Sequence, residues 1–210
     1  MPKYAYLICG PESSGTGYVT KIFEKLYKSN EKYFRINEYG YIYGEGNYIA
    51  DKYIKNELVI LNTENTKKWH IKLDQNNIDN NNNYYFIKHI GIPFVKNFVN
   101  INYIYKQLVF NGFDVSVVIP IRNMKISNIS ISRRFKYDVT YVNEMKQKTK
   151  IMINNLIDND NINTILFSYD TMIYLGNTYV IDFIKKNINS SLIIPEFDIN
   201  FKTDDKYFIR

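Results

Sequence analysis

The sequence predicts an α/β fold, a mostly parallel central sheet with flanking helices, and three observations predict it. Short apolar runs recur along the chain at residues 3–9, 114–121 and 164–168. The second and third are β-branched and apolar enough to be buried on both faces, as strands of a parallel sheet are. Segments with apolar residues at helical spacing separate these runs. The first run then enters its helix through a loop that holds Gly10, Gly15 and Gly17. Strand, glycine loop and helix, in that order, form the architecture of a phosphate-binding loop.

Each element has its own justification. Lys3 to Cys9 reads as a strand, and Val19, Ile22, Phe23, Leu26 and Tyr27 give the next segment its helical stripe. From about residue 30 to 83 the periodicity weakens, and a variable, loop-rich region is expected with one short strand at Leu58 to Leu61. The run Asn80 to Asn83 reads as a surface loop. Tyr84 to Ile90 is the next strand, and Phe94 to Phe110 a helix that Gly112 ends. Asp114 to Ile121 is the clearest strand of the chain. Met124 to Phe135 and Tyr141 to Ile157 read as helices, Thr164 to Ser168 as a second buried strand, and about Val180 to Asn187 as the last helix.

Composition bounds the rest. The 210 residues are read as one domain, 1–210. A domain of that size buries about 70% of its unfolded surface and needs no disulfide or metal staple. Hydrophobic residues at 45% and charged residues at 23% exclude a disordered chain. The net charge of +6 comes from 27 basic residues against 21 acidic ones, scattered with no basic run of five. Charge alone therefore names no partner, and no nucleic acid is expected. Cys9 is the single cysteine and lies in an apolar run, which fits a reducing compartment. No run of 18 apolar residues encodes a membrane span, and the first ten residues lack a long apolar signal region, so a cytoplasmic location is expected. The 28 asparagines, 32 isoleucines and 20 tyrosines share AT-rich codons with lysine, so this bias is assigned to the genome and not to function.

The loop is where chemistry first enters. Glycines let the backbone wrap a phosphate, while N–H groups of the loop and of the first helical turn point at it. The ATPase form of such a loop, G-x-x-x-x-G-K-[ST], adds a lysine and a hydroxyl for magnesium. Gly10 and Gly15 keep its spacing, but Thr16 stands at the lysine position and Gly17 at the hydroxyl position. Neither buried strand ends in a magnesium-binding aspartate: one ends Ile119-Pro120-Ile121, the other Ser168-Tyr169-Asp170. A kinase or nucleotide hydrolase is therefore a secondary expectation.

Ser13-Ser14-Gly15-Thr16-Gly17-Tyr18 resembles the 5′-phosphosulfate loop of sulfotransferases that use 3′-phosphoadenosine 5′-phosphosulfate (PAPS). Ser14, Gly15 and Thr16 match its Ser-Gly-Thr, and Tyr18 stands where the family often carries an aromatic residue. The family's lysine or arginine is replaced by Ser13. A second resemblance follows the Asp114 strand. Arg122-Asn123 and, eight residues after the arginine, Ser130 are similar to the family's 3′-phosphate motif. The chemistry supports it independently, because an arginine at the carboxyl end of a strand reaches the crevice where α/β folds hold ligands. Its planar fork also suits a phosphate. A third, Leu166-Phe167-Ser168-Tyr169-Asp170, resembles a later strand of the family whose tyrosine lies near the nucleotide. The family's C-terminal glycine-rich motif is absent from Phe197 to Arg210.

The resemblance implies a P-loop sulfotransferase-like fold, PAPS as co-substrate and no metal. It also implies nucleotide contacts from Ser13, Ser14, Gly15, Thr16, Gly17, Tyr18, Arg122, Ser130 and Tyr169. The acceptor would be a small molecule or saccharide bearing a hydroxyl or amine, and the tyrosine-rich stretch Tyr39 to Tyr53 suits sugar rings. His89, in a segment similar to the family's Lys-x-His-x-Pro, is the expected base. Glu12 is a second candidate, and Lys88 a substitute for the charge absent at Ser13. His70, beside Trp69, reads as surface or acceptor-side. A nucleotide-binding module without turnover is the further alternative.

Overall fold

The chain is described by a computed structural model, which covers residues 3–11, 13–35, 38–40, 58–61, 68–71, 83–92, 101–135, 139–188 and 192–197. Its elements run β1 (Lys3–Pro11), α1 (Thr16–Lys28), β2 (Tyr33–Arg35), β3 (Glu38–Gly40), β4 (Leu58–Leu61), β5 (Lys68–Ile71) and β6 (Asn83–Ile92). They continue with α2 (Ile101–Phe110), β7 (Phe113–Ile121), α3 (Met124–Phe135), α4 (Val139–Ile157), β8 (Thr164–Ser168), α5 (Tyr169–Leu175) and α6 (Asn177–Asn187). Five strands form one sheet in the order β2-β6-β1-β7-β8, and every pairing in it is parallel. The α/β expectation is met.

Alternation along β1 builds a core on each face, because successive side chains of a strand point to opposite sides. Ala5, Leu7 and Cys9 pack with Phe113, Val115, Val117 and Ile119 of β7 against α2 and α4. Tyr6 and Ile8 face the other way, with Val118 and Phe167, against α1, α5 and α6. Helix α1 turns Val19, Ile22, Phe23, Leu26 and Tyr27 into this second core, and Lys25 and Lys28 in its last turn complement its dipole. At the middle of that packing the Tyr6 and Tyr27 hydroxyls share a hydrogen bond of 2.6 Å.

Four elements correct the expectations. Where one strand was expected in residues 30–83, four are described. β4 stands at the expected place, β2 pairs with β6 at the edge of the main sheet, and β3, β5 and β4 form a separate antiparallel sheet. Strands of three or four residues hold too few side chains to show a period of two. The fourth correction is α5, a helix beginning directly at Tyr169, where Tyr169 and Asp170 were read as a strand end. Ser168 makes this abrupt switch by capping α5, its hydroxyl accepting from the Thr171 amide at 3.2 Å. The helix expected over residues 94–110 is described from Ile101 onward, and residues 93–100 lie outside the described set. Among the described residues no helix is long and apolar enough to cross a membrane.

Two features of this topology position a site. The chain leaves β1 through α1 toward β2 on one side, and leaves the adjacent β7 through α3 and α4 toward β8 on the other. Neighbouring strands whose connections diverge in this way leave a crevice at their carboxyl ends. The pairing itself also parts there. β1 and β7 stay in register only as far as Ile8 with Val118, although β1 continues to Pro11 and β7 to Ile121. Pro120, just beyond the last pair, has no amide hydrogen to give to a neighbour.

Candidate functional site

The loop between β1 and α1 begins as a tight turn in which the Ser14 amide donates to the Pro11 carbonyl at 3.1 Å. Two left-handed residues shape it: Ser13 with φ 61° and Gly15 with φ 98°. Gly15 then becomes the N-cap of α1, its carbonyl accepting from the amides of Tyr18 and Val19 at 3.0 Å each. The first turn of α1, starting at Thr16, thus opens at the parted end of the sheet, where backbone N–H groups favour an anion. Thr16 is buried, and Gly17 lies within the helix.

Gly10, near the end of β1, lies in a crowded place. A Cβ there would stand 2.7 Å from the Ser14 hydroxyl and 3.5 Å from the Pro120 ring. The Ser14 hydroxyl is itself buried and makes no hydrogen bond. A buried hydroxyl in that condition costs about 1–3 kcal/mol, which a ligand oxygen relieves where it can reach the group.

The end of β7 reaches into the same place. Arg122 donates from Nη1 to the Ser13 carbonyl at 3.1 Å, and its Cζ lies 4.9 Å from the centre of the Tyr169 ring. That ring rests on Gly15 and meets Tyr18 edge-on, with centroids 6.0 Å apart. Asn123 caps α3 by accepting the Lys125 amide at 2.9 Å, and its own amide donates to the Asp170 carboxylate at 2.7 Å. This last bond ties the start of α3 to the first turn of α5, and so fixes Arg122 and Tyr169 relative to each other.

Of the residues expected from the sequence, Ser13, Gly15, Tyr18, Arg122 and Tyr169 meet around the loop, with Ser14, Thr16 and Gly17 in the loop or at the helix start. Ser130 lies half-buried on α3, and it is Ser127, one turn nearer the strand, whose hydroxyl donates to the Ser13 carbonyl at 3.4 Å. Ser127 was not expected. Asn123 was the missed signal: as the helix cap it places Ser127 one turn into α3, close beside Arg122. Lys88 and His89 lie in β6, in register with Leu7 and Ile8 of β1, while Glu12 is outside the described residues. His70 lies in β5 of the separate sheet, paired with Tyr39 and Val59. Complete burial pushes the Cys9 thiol up to about 12, which disfavours the nucleophilic thiolate.

No protein-family model matches this chain, and no curated protein sequence matches it.

Proposed function

We propose that the chain binds a phosphorylated adenosine nucleotide where β1 and β7 part, and that it is a PAPS-dependent sulfotransferase acting on a hydroxyl or amine acceptor. One observation carries this reading. Arg122, at the end of β7, is hydrogen-bonded to the glycine loop that follows β1, 3.1 Å from the Ser13 carbonyl. Two anion-binding elements 109 residues apart in the chain thereby become one site, as a nucleotide bearing a 5′-phosphosulfate and a 3′-phosphate requires. The loop and first turn of α1 suit the 5′ group, and the Arg122 fork suits a phosphate. The P-loop sulfotransferase-like fold belongs to the same proposal, supported by the placement of the loop at the divergence of β1 and β7.

In the reaction the acceptor oxygen or nitrogen bonds to sulfur while the bond from sulfur to the phosphate oxygen breaks. The acceptor's proton passes to a base, for which His89 is the first candidate and Glu12 the second, with Lys88 as a further positive group. The leaving group is a stable phosphate, so positioning and electrostatics supply most of the acceleration. Thr16 at the lysine position of an ATP-binding loop weighs against phosphoryl transfer from ATP. Ser13 at the basic position of the phosphosulfate loop favours a second reading, a module that binds the nucleotide without turnover.

Thermal stabilisation tests the proposal. A ligand at about 100 times its dissociation constant stabilises the fold by about 2.7 kcal/mol. Adenosine 3′,5′-bisphosphate is expected to raise the melting temperature without magnesium, and by more than ADP with magnesium does. Stabilisation by ADP with magnesium alone refutes the sulfotransferase reading in favour of a kinase. Stabilisation by the bisphosphate without acceptor-dependent turnover of PAPS across varied hydroxyls and amines leaves the binding module.

A further inference from the structure

The glycine loop has no cation of its own. From Gly10 to Tyr18 the chain contains neither lysine nor arginine, with Ser13 at one expected basic position and Thr16 at the other. An anion seated on such a loop meets backbone N–H groups and a helix dipole, a weaker setting than one that includes a charged donor.

The missing charge is held against the loop from outside it. The Arg122 guanidinium is fixed at two points, by the Ser13 carbonyl at 3.1 Å and by the face of Tyr169 at 4.9 Å. Tyr169 is in turn seated on the loop, since its ring fills the space beside Gly15. Ser127, buried at 9% exposure, donates to the same Ser13 carbonyl at 3.4 Å. That carbonyl belongs to the residue with φ 61°, so a left-handed turn is what presents it to both donors. In the same loop lies the buried Ser14 hydroxyl that makes no hydrogen bond.

We infer that Arg122 supplies the positive charge the loop lacks. The 5′ group seated on the loop is bound jointly by loop N–H groups and by the guanidinium from the neighbouring strand, while Ser127 holds the Ser13 peptide that anchors it. Arg122 is therefore shared by the two anionic groups of one ligand and is not reserved for a 3′-phosphate. The inference rests on the nucleotide reading above for the identity of the ligand, but not for the presence of an anion on the loop.

The test is isothermal titration of adenosine 5′-monophosphate, adenosine 3′-monophosphate and inorganic pyrophosphate into wild type, Arg122→Ala, Arg122→Gln and the double variant Arg122→Ala with Ser13→Lys. Arg122→Gln keeps the stem and a donor while removing the charge, and serves if the alanine variant fails to fold by circular dichroism. The expected result is that either single variant binds the 5′-monophosphate and pyrophosphate about tenfold or more weaker, the scale of one charge-assisted contact. Ser13→Lys is expected to recover most of the 5′-monophosphate affinity and none of the affinity for the 3′-monophosphate. Full 5′-monophosphate affinity in Arg122→Gln, with the 3′-monophosphate weakened, overturns the inference and leaves the nucleotide reading standing. Failure of Ser13→Lys to recover binding overturns it as well. Binding of pyrophosphate but of neither nucleotide by wild type, with the same loss at Arg122, upholds the inference and refutes the nucleotide reading. Wild type that binds none of the three probes refutes both.

Discussion

The ring of Tyr169 occupies the space a side chain on Gly15 would need: a Cβ there would stand 2.3 Å from the ring's Cδ2. The contact joins the loop after β1 to the helix after β8, on the far side of β7. It also explains why the loop's central residue is glycine for two separate reasons, since its φ of 98° already disfavours any other residue.

Gly15→Ala is accordingly expected to destabilise the protein by about 2 kcal/mol or more. The left-handed backbone accounts for roughly 1–2 kcal/mol of that, and displacement of Tyr169 for the remainder. For a chain of this size the melting temperature should fall by about 4 °C or more. Adding Tyr169→Ala to Gly15→Ala separates the two causes in a double-mutant cycle: the steric share disappears and the backbone share persists. A cycle with no coupling between the two positions contradicts the contact.

The cap of α5 makes a second expectation. Ser168 accepts from the Thr171 amide at 3.2 Å and its hydroxyl lies 2.6 Å from that of Thr171, while its own amide donates to the Tyr179 hydroxyl at 2.6 Å. Ser168→Ala removes only the side-chain bonds and should cost about 1 kcal/mol in urea unfolding, whereas Ser168→Asp, a good cap, should stay near wild type. Equal losses in both variants would mean that the cap is not what the hydroxyl contributes.

How much of this was legible in the sequence follows from what each feature is made of. β1 and β7 announce themselves because burial on both sides of a parallel sheet demands continuous apolar runs, and α1 because it needs a regular stripe to cover one face. β8 has such a run as well, but burial on both faces was the wrong expectation for it: it is an edge strand, and Leu166 on its outer face is 45% exposed. β2, β3 and β5 carry Tyr33, Glu38 and Lys68 at their starts and are too short to display a period. Their pairing partners decide them, and partners are not written locally. At the site, Arg122 and the loop were visible as residue types at strand ends. The Ser13 carbonyl was not, because a backbone group that accepts two side chains leaves no mark in the sequence. The same holds for Tyr169, readable as an aromatic residue near a nucleotide but not as the ring lying between Gly15 and Arg122.

Helix α2 offers a sharper stability test within three residues. Leu108 is wholly buried against β7, while Phe110 at the end of the same helix is 86% exposed. Leu108→Ala should cost about 2–5 kcal/mol, because lost transfer energy and a cavity add together. Phe110→Ser should lie within about 0.5 kcal/mol of wild type despite removing the larger apolar group. Guanidinium unfolding of the two variants measures both, and a large loss at Phe110 would contradict its exposure.

The buried acids predict how stability depends on pH. Burial raises Tyr6 and Tyr27 well above the 10.0 of an exposed phenol, and raises Cys9 from 9.0 to about 12. A folded-state value above the unfolded one means the folded protein holds its proton more tightly. The stabilisation is therefore complete below the unfolded value and is lost as pH rises beyond it. Urea midpoints should be level from about pH 7 to pH 8.5. They should begin to fall near pH 9 as the unfolded thiol ionises, and steepen above pH 10 as the unfolded phenols follow. Cys9→Ala removes the first part of the descent and leaves the second. Tyr27→Phe behaves differently at the two ends of the range. At pH 7 it costs about 1–2 kcal/mol, since the Tyr6 hydroxyl loses its 2.6 Å partner. Above pH 10 its curve is shallower than that of wild type, because one of the groups that drives alkaline unfolding is gone. A Tyr27→Phe curve that runs parallel to wild type through pH 11 would show that the buried phenol pair does not drive the alkaline loss.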